Sequence, residues 1–122
     1  MTTAFHIDGI AQIHISVSDL PRAVAFYRDI LDLALLFEVP AQSMAFFDCG
    51  GVRLYLGRPE NPEHRSQSFI YYRVPSMTAA FDTLSARGVE FSGAPHAVHT
   101  TDTYTLWLAA FRDPDGNYLH LM

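Results

Sequence analysis

The order strand, helix and three strands occurs twice in this sequence, and this repetition constrains the fold more than any other feature. The predicted helices begin at Asp19 and Ser76, which are 57 residues apart (from 19 to 76). The turn glycines of the two final hairpins, Gly51 and Gly116, are 65 residues apart (from 51 to 116). One such module leaves a face of its sheet bare, so two copies are expected to bury apolar surface together. The sequence therefore predicts an α+β fold of two βαβββ modules.

The strands of the first module are predicted from side-chain alternation. Residues 9–17 have one apolar parity, which consists of Ala11, Ile13, Ile15 and Val17. Asp19 or Ser18 can cap the following helix, and Pro21 suits its first turn. Three further strands are predicted at Leu33–Val39, Ser43–Cys49 and Val52–Gly57.

The second module repeats this order. A helix is predicted from Ser76 to Arg87, ended by Gly88. The predicted strands are Ser68–Val74, Val89–Ser92, Tyr104–Arg112 and Asn117–Met122. Residues 93–103 fit either a strand edge or a loop, and a loop role is favoured for His96 and His99. Trp107 and Phe111 share a parity, which favours core packing for both.

Length and composition limit the organisation and the partners. The 122 residues fit one domain, 1–122, with module 1 at about 9–58, a linker at about 59–67 and module 2 at about 68–122. A net charge of −5, with only 8 Lys plus Arg and no basic run, argues against nucleic acid and membrane surfaces as partners. Cys49 is the only cysteine, so a reducing cytoplasm is the expected location of the protein. The Cys49 thiol is expected to be buried and structural.

The opening and closing motifs resemble a known family. The stretch QIHISVSDLPRAVAFYRDILDL from Gln12 and the stretch FRDPDGNYLHLM from Phe111 resemble the glyoxalase/bleomycin-resistance/dioxygenase (vicinal oxygen chelate) superfamily, and Phe46 to Leu56 adds to the match. The resemblance implies a curved mixed sheet around a central pocket, a small-molecule ligand and often a homodimer. It does not choose an activity, because the superfamily includes lyases, epimerases, dioxygenases, thiol transferases and drug-sequestering proteins.

The resemblance also implies positions for metal ligands. Metal enzymes of this superfamily place ligands at four equivalent points, which fall here on Gln12, Tyr55, Phe69 and His120. Gln12 and His120 fit a divalent metal ion, whereas Tyr55 is unusual and Phe69 cannot coordinate one. If a metal binds, Gln12 and His120 are therefore its expected protein ligands.

Strand alternation predicts a site without any reference to the family. In four strands one parity is apolar enough to pack under a helix, which leaves the other parity for a pocket. The residues left over are Gln12, His14, Arg53, Tyr55, Phe69, Tyr71, Arg73, Tyr118 and His120. Aromatic rings with a few convergent polar groups are typical of a small-molecule site, although a solvent-exposed sheet face is the alternative.

Two functions remain open at this point. In the first, the chain is a metal-dependent lyase, isomerase or dioxygenase in which His120 and His14 act as the catalytic acid or base. In the second, it is a metal-free binding or drug-sequestering protein. There Tyr55, Phe69, Tyr71 and Tyr118 stack on the ligand, while Arg53 and Arg73 hold its anionic groups.

Overall fold

The computed structural model describes residues 5–59, 63 and 69–122 and confirms the α+β fold with two βαβββ modules. The first module comprises β1 (Gln12–Ser16), α1 (Leu20–Ala25), β2 (Ala34–Val39), β3 (Met44–Cys49) and β4 (Val52–Gly57). The second comprises β5 (Ile70–Tyr72), α2 (Met77–Ala86), β6 (His96–Thr100), β7 (Thr105–Arg112) and β8 (Tyr118–Leu121). A π-helical segment, Phe26–Ile30, extends α1, and a 3-10 turn, Pro40–Gln42, joins β2 to β3.

Each module forms its own four-stranded mixed sheet. The strand orders are β1-β4-β3-β2 and β5-β8-β7-β6, so the two modules have the same topology. In both sheets the first strand pairs in parallel with the last, and the other pairs are antiparallel. The mixed sheet that the sequence predicts is therefore present as two sheets, with β1 and β5 at corresponding edges.

Both helices begin where the sequence predicts. The Asp19 carboxylate accepts a hydrogen bond from the Arg22 amide at 3.1 Å, and the Ser76 hydroxyl accepts one from the Ala79 amide at 3.2 Å. These bonds satisfy N–H groups that have no partner within a helix. Gly88, with φ of 92°, follows α2 in the left-handed conformation expected of a C-cap glycine. No helix in the described ranges is long and apolar enough to cross a membrane.

The hydrophobic core is shared by the two modules. Tyr27 and Phe47 from the first module belong to the same buried cluster as Phe111 and Leu119 from the second. The Tyr27 hydroxyl donates to the Asp113 carboxylate at 2.8 Å across the module boundary, and burial together with Asp113 raises the pKa of Tyr27. The phenol therefore stays protonated and remains a donor to a buried carboxylate.

The first strand after α2 is not where the sequence predicts it. Val89–Ser92 makes only an isolated bridge, between Phe91 and Phe111, and the strand β6 lies instead at His96–Thr100. Gly93 and Pro95 separate the two segments, and a proline cannot donate to a strand ladder. Of the two alternatives for residues 93–103, the strand edge is therefore correct, and the loop role favoured for His96 and His99 is wrong, because both lie in the edge strand β6.

Trp107 is not a core residue, although Phe111 on the same parity of β7 is. Phe111 is 0% exposed, whereas Trp107 is 44% exposed. Trp107 pairs with Ala97 of β6, an edge strand whose residues are all exposed. The N-terminal half of β7 therefore extends beyond the core. Of the side chains on the core side of β7, Ala109 and Phe111 are buried, but Trp107 is not.

Candidate functional site

The first sheet has an open face on the side away from the core. Ile15, Leu54 and Leu56 of β1 and β4 are buried, so the alternate side chains of these strands point to the other side. The parallel register of β1 and β4 places Gln12 opposite Arg53 and His14 opposite Tyr55. Four of the residues predicted for the site are thus close neighbours on one face.

An aromatic row crosses this face over all four strands. It consists of Phe37 (β2), Phe46 (β3), Tyr55 (β4) and His14 (β1). Successive ring centroids are 4.5, 4.8 and 4.7 Å apart; the first two contacts are stacked, and His14 meets Tyr55 edge to face. Phe37 and Phe46 were not among the predicted site residues. The alternation in β3 could have identified Phe46, but the adjacent Phe47 makes both parities apolar.

Arg53 lies on top of the aromatic row. Its guanidinium carbon is 4.9 Å from the centroid of Phe46 and 5.9 Å from that of Phe37. Its Nε–H donates to Oε1 of Gln12 at 2.9 Å. Cation–π attraction and this hydrogen bond hold the guanidinium over the rings rather than free in solvent.

Gly57 determines where the Tyr55 ring can lie. A Cβ atom at Gly57 would be 2.6 Å from Cε1 of Tyr55 and 3.0 Å from its hydroxyl oxygen. The Tyr55 ring therefore lies over Gly57, two residues further along β4, because Gly57 has no side chain to exclude it. This position brings Tyr55 between Phe46 and His14 in the aromatic row.

The second sheet has a corresponding open face. Phe69, Tyr71, Tyr118 and His120 line a cavity of about 260 Å³. Tyr71 stacks on His120 at 4.3 Å, and Phe69 meets Tyr118 and His120 edge to face at 6.1 Å. Arg112, which the sequence did not indicate, lies over the Tyr118 ring at 4.4 Å and donates to its hydroxyl. The second face therefore carries aromatic rings and one arginine, Arg112, whose guanidinium already contacts Tyr118.

The predicted site residues form two groups, one on each sheet. Gln12, His14, Arg53 and Tyr55 lie on the first face, and the four residues that line the cavity lie on the second. The ring contacts and hydrogen bonds given above fall within each group. Arg73 follows β5 and is exposed, and it is not among the residues that line the cavity.

The donor groups do not fit a divalent metal ion. Oε1 of Gln12, its only metal-binding atom, already accepts from a guanidinium, whose positive charge would repel a cation. Phe69 offers no donor, and in the described part of the chain no three His, Cys, Asp or Glu side chains come close enough to form a metal cluster. His120 lines the cavity, but its Nδ1 is buried and has no hydrogen-bond partner among the described residues.

Burial also shifts the pKa values of His14 and Cys49. Burial lowers the pKa of His14, which favours the neutral imidazole in the aromatic row. Burial, with a smaller effect of Asp48, raises the pKa of the Cys49 thiol. Cys49 is half-buried and packs against the core, so its thiol is less reactive than a free cysteine.

A larger cleft lies away from both faces. Its volume is about 550 Å³, and it extends from the start of α1 to the 3-10 turn after β2. Two of the polar residues at its wall are already engaged, since the Ser18 amide donates to the Asp115 carboxylate at 2.7 Å and Asp19 caps α1, and no aromatic ring of a described residue lines the cleft. The two aromatic faces are therefore better candidates for a ligand site.

Comparison with known proteins gives consistent matches along the chain. Residues 9–121 match the family described as the Glyoxalase/Bleomycin resistance protein/Dioxygenase superfamily. The uncharacterized protein YraH of Bacillus subtilis is 26% identical over 125 residues, covering 92% of this chain and 95% of YraH.

Two solved structures have the same fold. Lactoylglutathione lyase from Agrobacterium tumefaciens superposes with a TM-score of 0.77 at 22% identity, covering 94% of this chain and 92% of the lyase. TnmS3, an antibiotic binding protein from Streptomyces sp. CB03234, superposes with a TM-score of 0.75 at 25% identity, covering 96% of each chain. The fold is thus shared by an enzyme and by a binding protein.

Proposed function

Since this chain belongs to the glyoxalase/bleomycin resistance protein/dioxygenase superfamily, we propose that it binds a planar small organic molecule without a metal ion. The observation that carries the proposal is the replacement of metal donors by exposed, ordered aromatic rings. Phe69 is 65% exposed and stands at a position where the resemblance implies a metal ligand, and Tyr71, which is 48% exposed, lines the same cavity. Aromatic rings held in this way are suited to stacking on a planar ligand.

The similarity to TnmS3 supports a binding role. TnmS3 is described as an antibiotic binding protein and covers 96% of this chain at 25% identity. The aromatic row and the cavity of the second face would supply the stacking surfaces for such a role here. The proposed substrate-binding residues are Arg53, Tyr55, Phe69, Tyr71, Arg73 and Tyr118.

A homodimer would complete the site. The cavity of about 260 Å³ on the second face is smaller than the roughly 300–1,000 Å³ of typical ligand pockets, so an opposing wall is needed. In a dimer, the first face of one copy would supply that wall for the second face of the other. The alternative is that the two modules close on each other within one chain. Light scattering after size-exclusion chromatography distinguishes a dimer of about twice 13.7 kDa from a monomer.

Location and other partners follow from charge and cysteine content. The net charge of −5 supports a small-molecule partner rather than nucleic acid or a membrane surface. The single, half-buried Cys49 supports a reducing cytoplasm as the location.

The test of the binding function uses a panel of planar aromatic probes and isothermal titration calorimetry. Tyr71→Ala is expected to weaken binding by about two- to tenfold, because it removes one stacking surface. Trp107→Ala is the matched control, since Trp107 is exposed and has the parity of β7 opposite to that of Ala110, which pairs with His120 of the second face. The proposal fails if no probe binds, or if the two variants weaken binding equally.

Metal-assisted catalysis is the second candidate, and the position of His120 in the cavity favours it. In that case Gln12 and His120 would be ligands, and His14 or His120 would move a proton in a lyase, isomerase or dioxygenase reaction. Metal analysis of protein purified without chelator or affinity tag separates the two functions. A stoichiometric metal that is lost in His120→Ala would contradict the metal-free proposal.

A further inference from the structure

We infer, on the basis of the proposed binding function, that Arg53 is the built-in cation of the site and that it selects planar ligands carrying a carboxylate. The positive charge that a metal ion would bring to this face is supplied instead by a guanidinium. The ligand class is therefore an aromatic carboxylate, with its ring on the aromatic row and its charged group beside Arg53.

Arg53 is already held in place by its neighbours. Its Nε–H is bonded to Gln12 at 2.9 Å, and its guanidinium carbon lies 4.9 Å from the centre of Phe46. Arginine carries five N–H donors, and the two terminal nitrogens of Arg53 make no hydrogen bond to any other described residue. A carboxylate could accept from both, in the bidentate geometry that arginine favours.

No acidic side chain in the described part of the chain forms an ion pair with Arg53. Among the described residues, the ion pairs of arginine involve Arg22, Arg28 and Arg87 and not Arg53. Asp48 lies directly opposite Arg53 on β3, but its side chain accepts from the Gly51 amide at 3.3 Å and forms no ion pair with Arg53. Arg58, Arg73 and Arg112 likewise form no ion pair with a described residue. Arg53 differs from them because it lies over the ring of Phe46, on the face proposed for ligand stacking, where an anionic ligand would satisfy its charge.

The surface beside Arg53 restricts the shape of the ligand. The rings of Phe37, Phe46 and Tyr55 stack on one another at 4.5 and 4.8 Å, and Phe46 is only 8% exposed, so the row offers a ligand mainly its end ring, Phe37, which is 46% exposed. Stacking on this ring requires a flat ligand, and the guanidinium beside it gives the ligand a defined orientation. Together the two features select for a planar ring and a negative charge in one molecule.

Three probes of nearly equal shape test the charge selectivity by calorimetry. They are 2-naphthoate, neutral 2-naphthamide and cationic 2-naphthylmethylammonium. The wild type is expected to bind naphthoate at least about tenfold more tightly than naphthamide, as a hydrogen-bonded charge pair should. Arg53→Met should abolish this preference and leave naphthamide binding within about twofold of the wild type. Arg53→Lys should have an intermediate preference, because it keeps the charge and loses the planar fork.

Arg28→Met is the matched control. It removes the same charge from an exposed arginine that pairs with Asp29 at 2.8 Å, away from both faces, and it should behave as the wild type. Equal binding of naphthoate and naphthamide, tighter binding of the ammonium probe, or an unchanged preference in Arg53→Met would each overturn the inference while the binding function stands. Failure of all three probes to bind would overturn the proposed function itself.

Discussion

Replacing Gly57 with alanine should displace Tyr55 and break the aromatic row. The new Cβ would lie 2.6 Å from Cε1 and 2.9 Å from Cζ of Tyr55. Carbon atoms in contact are separated by about 3.5–4.0 Å, so the ring must move by about 1 Å or more. The ring is the far end of a side chain with free torsions, whereas Gly57 is fixed between β1 and β3. Tyr55 should therefore be the part that moves.

The cost follows from the contacts that Tyr55 makes. Moving the ring weakens its contacts with Phe46 at 4.8 Å and His14 at 4.7 Å, and an aromatic pair contributes about 0.5–1.5 kcal/mol. A side chain forced off its rotamer costs about 0.5–1.5 kcal/mol more. The φ angle of Gly57 is not positive, so alanine can adopt the same backbone conformation. Alanine also reduces the conformational entropy of the unfolded chain, which stabilises the folded protein by about 0.4–1 kcal/mol. The net loss of unfolding free energy should be about 1 kcal/mol, with a much larger effect on ligand stacking.

The assay combines urea unfolding with NMR of the His14 ring and titration of a planar probe. Gly93→Ala is the matched control, because a Cβ at Gly93 meets nothing within 4 Å and its φ is not positive. Gly57→Ala should shift the His14 resonances and weaken probe binding, while Gly93→Ala should do neither. If both variants have the same stability and the same His14 spectrum as the wild type, Gly57 does not determine the position of the Tyr55 ring.

Three further changes have defined outcomes. Tyr27→Phe removes a 2.8 Å donor to the buried Asp113 carboxylate and should lower the unfolding free energy by about 1.5–3 kcal/mol, measured by urea titration; an unchanged midpoint would contradict the buried bond. Leu56→Ala should cost about 2–5 kcal/mol in the same assay, and the half-buried Ile13→Ala less. Burial lowers the pKa of His14, so the unfolded chain binds the proton more readily and stability should fall as pH drops below 6.5. Urea midpoints at about pH 7.5 and 5 should differ less in His14→Asn than in the wild type.

Strand alternation predicted the first sheet well where one parity was clearly apolar. In β1 and β4 the buried Ile15, Leu54 and Leu56 alternate with polar or aromatic residues, so the open face could be identified from sequence. β3 carries Phe46 and Phe47 in succession, and alternation cannot assign two adjacent phenylalanines to opposite faces. The structure resolves them, because Phe46 stacks on Tyr55 and Phe47 packs in the core.

Other features depend on information that a local pattern does not contain. Parity gives the side on which Trp107 lies, but not how far along β7 the core extends. The position of β6 depends on pairing with β7 across a bulge at residues 97–99, a nonlocal contact. The hydrogen bond between Arg53 and Gln12 joins residues 41 positions apart and follows only from the parallel register of β1 and β4.

The sharing of one core by both modules has a consequence for synthesis of the chain. The contacts that complete the first module are distant in sequence: the bond from Tyr27 to Asp113 spans 86 residues, and that from the side-chain amide of Asn117 to the Ser16 carbonyl spans 101. Contacts between residues so far apart in sequence form slowly, because a long loop must close before the contact can stabilise the fold. While the ribosome is still adding residues 111–121, the apolar side of α1 lacks its partners Phe111 and Leu119. The first module is therefore exposed to chaperones and to aggregation until the second has been made.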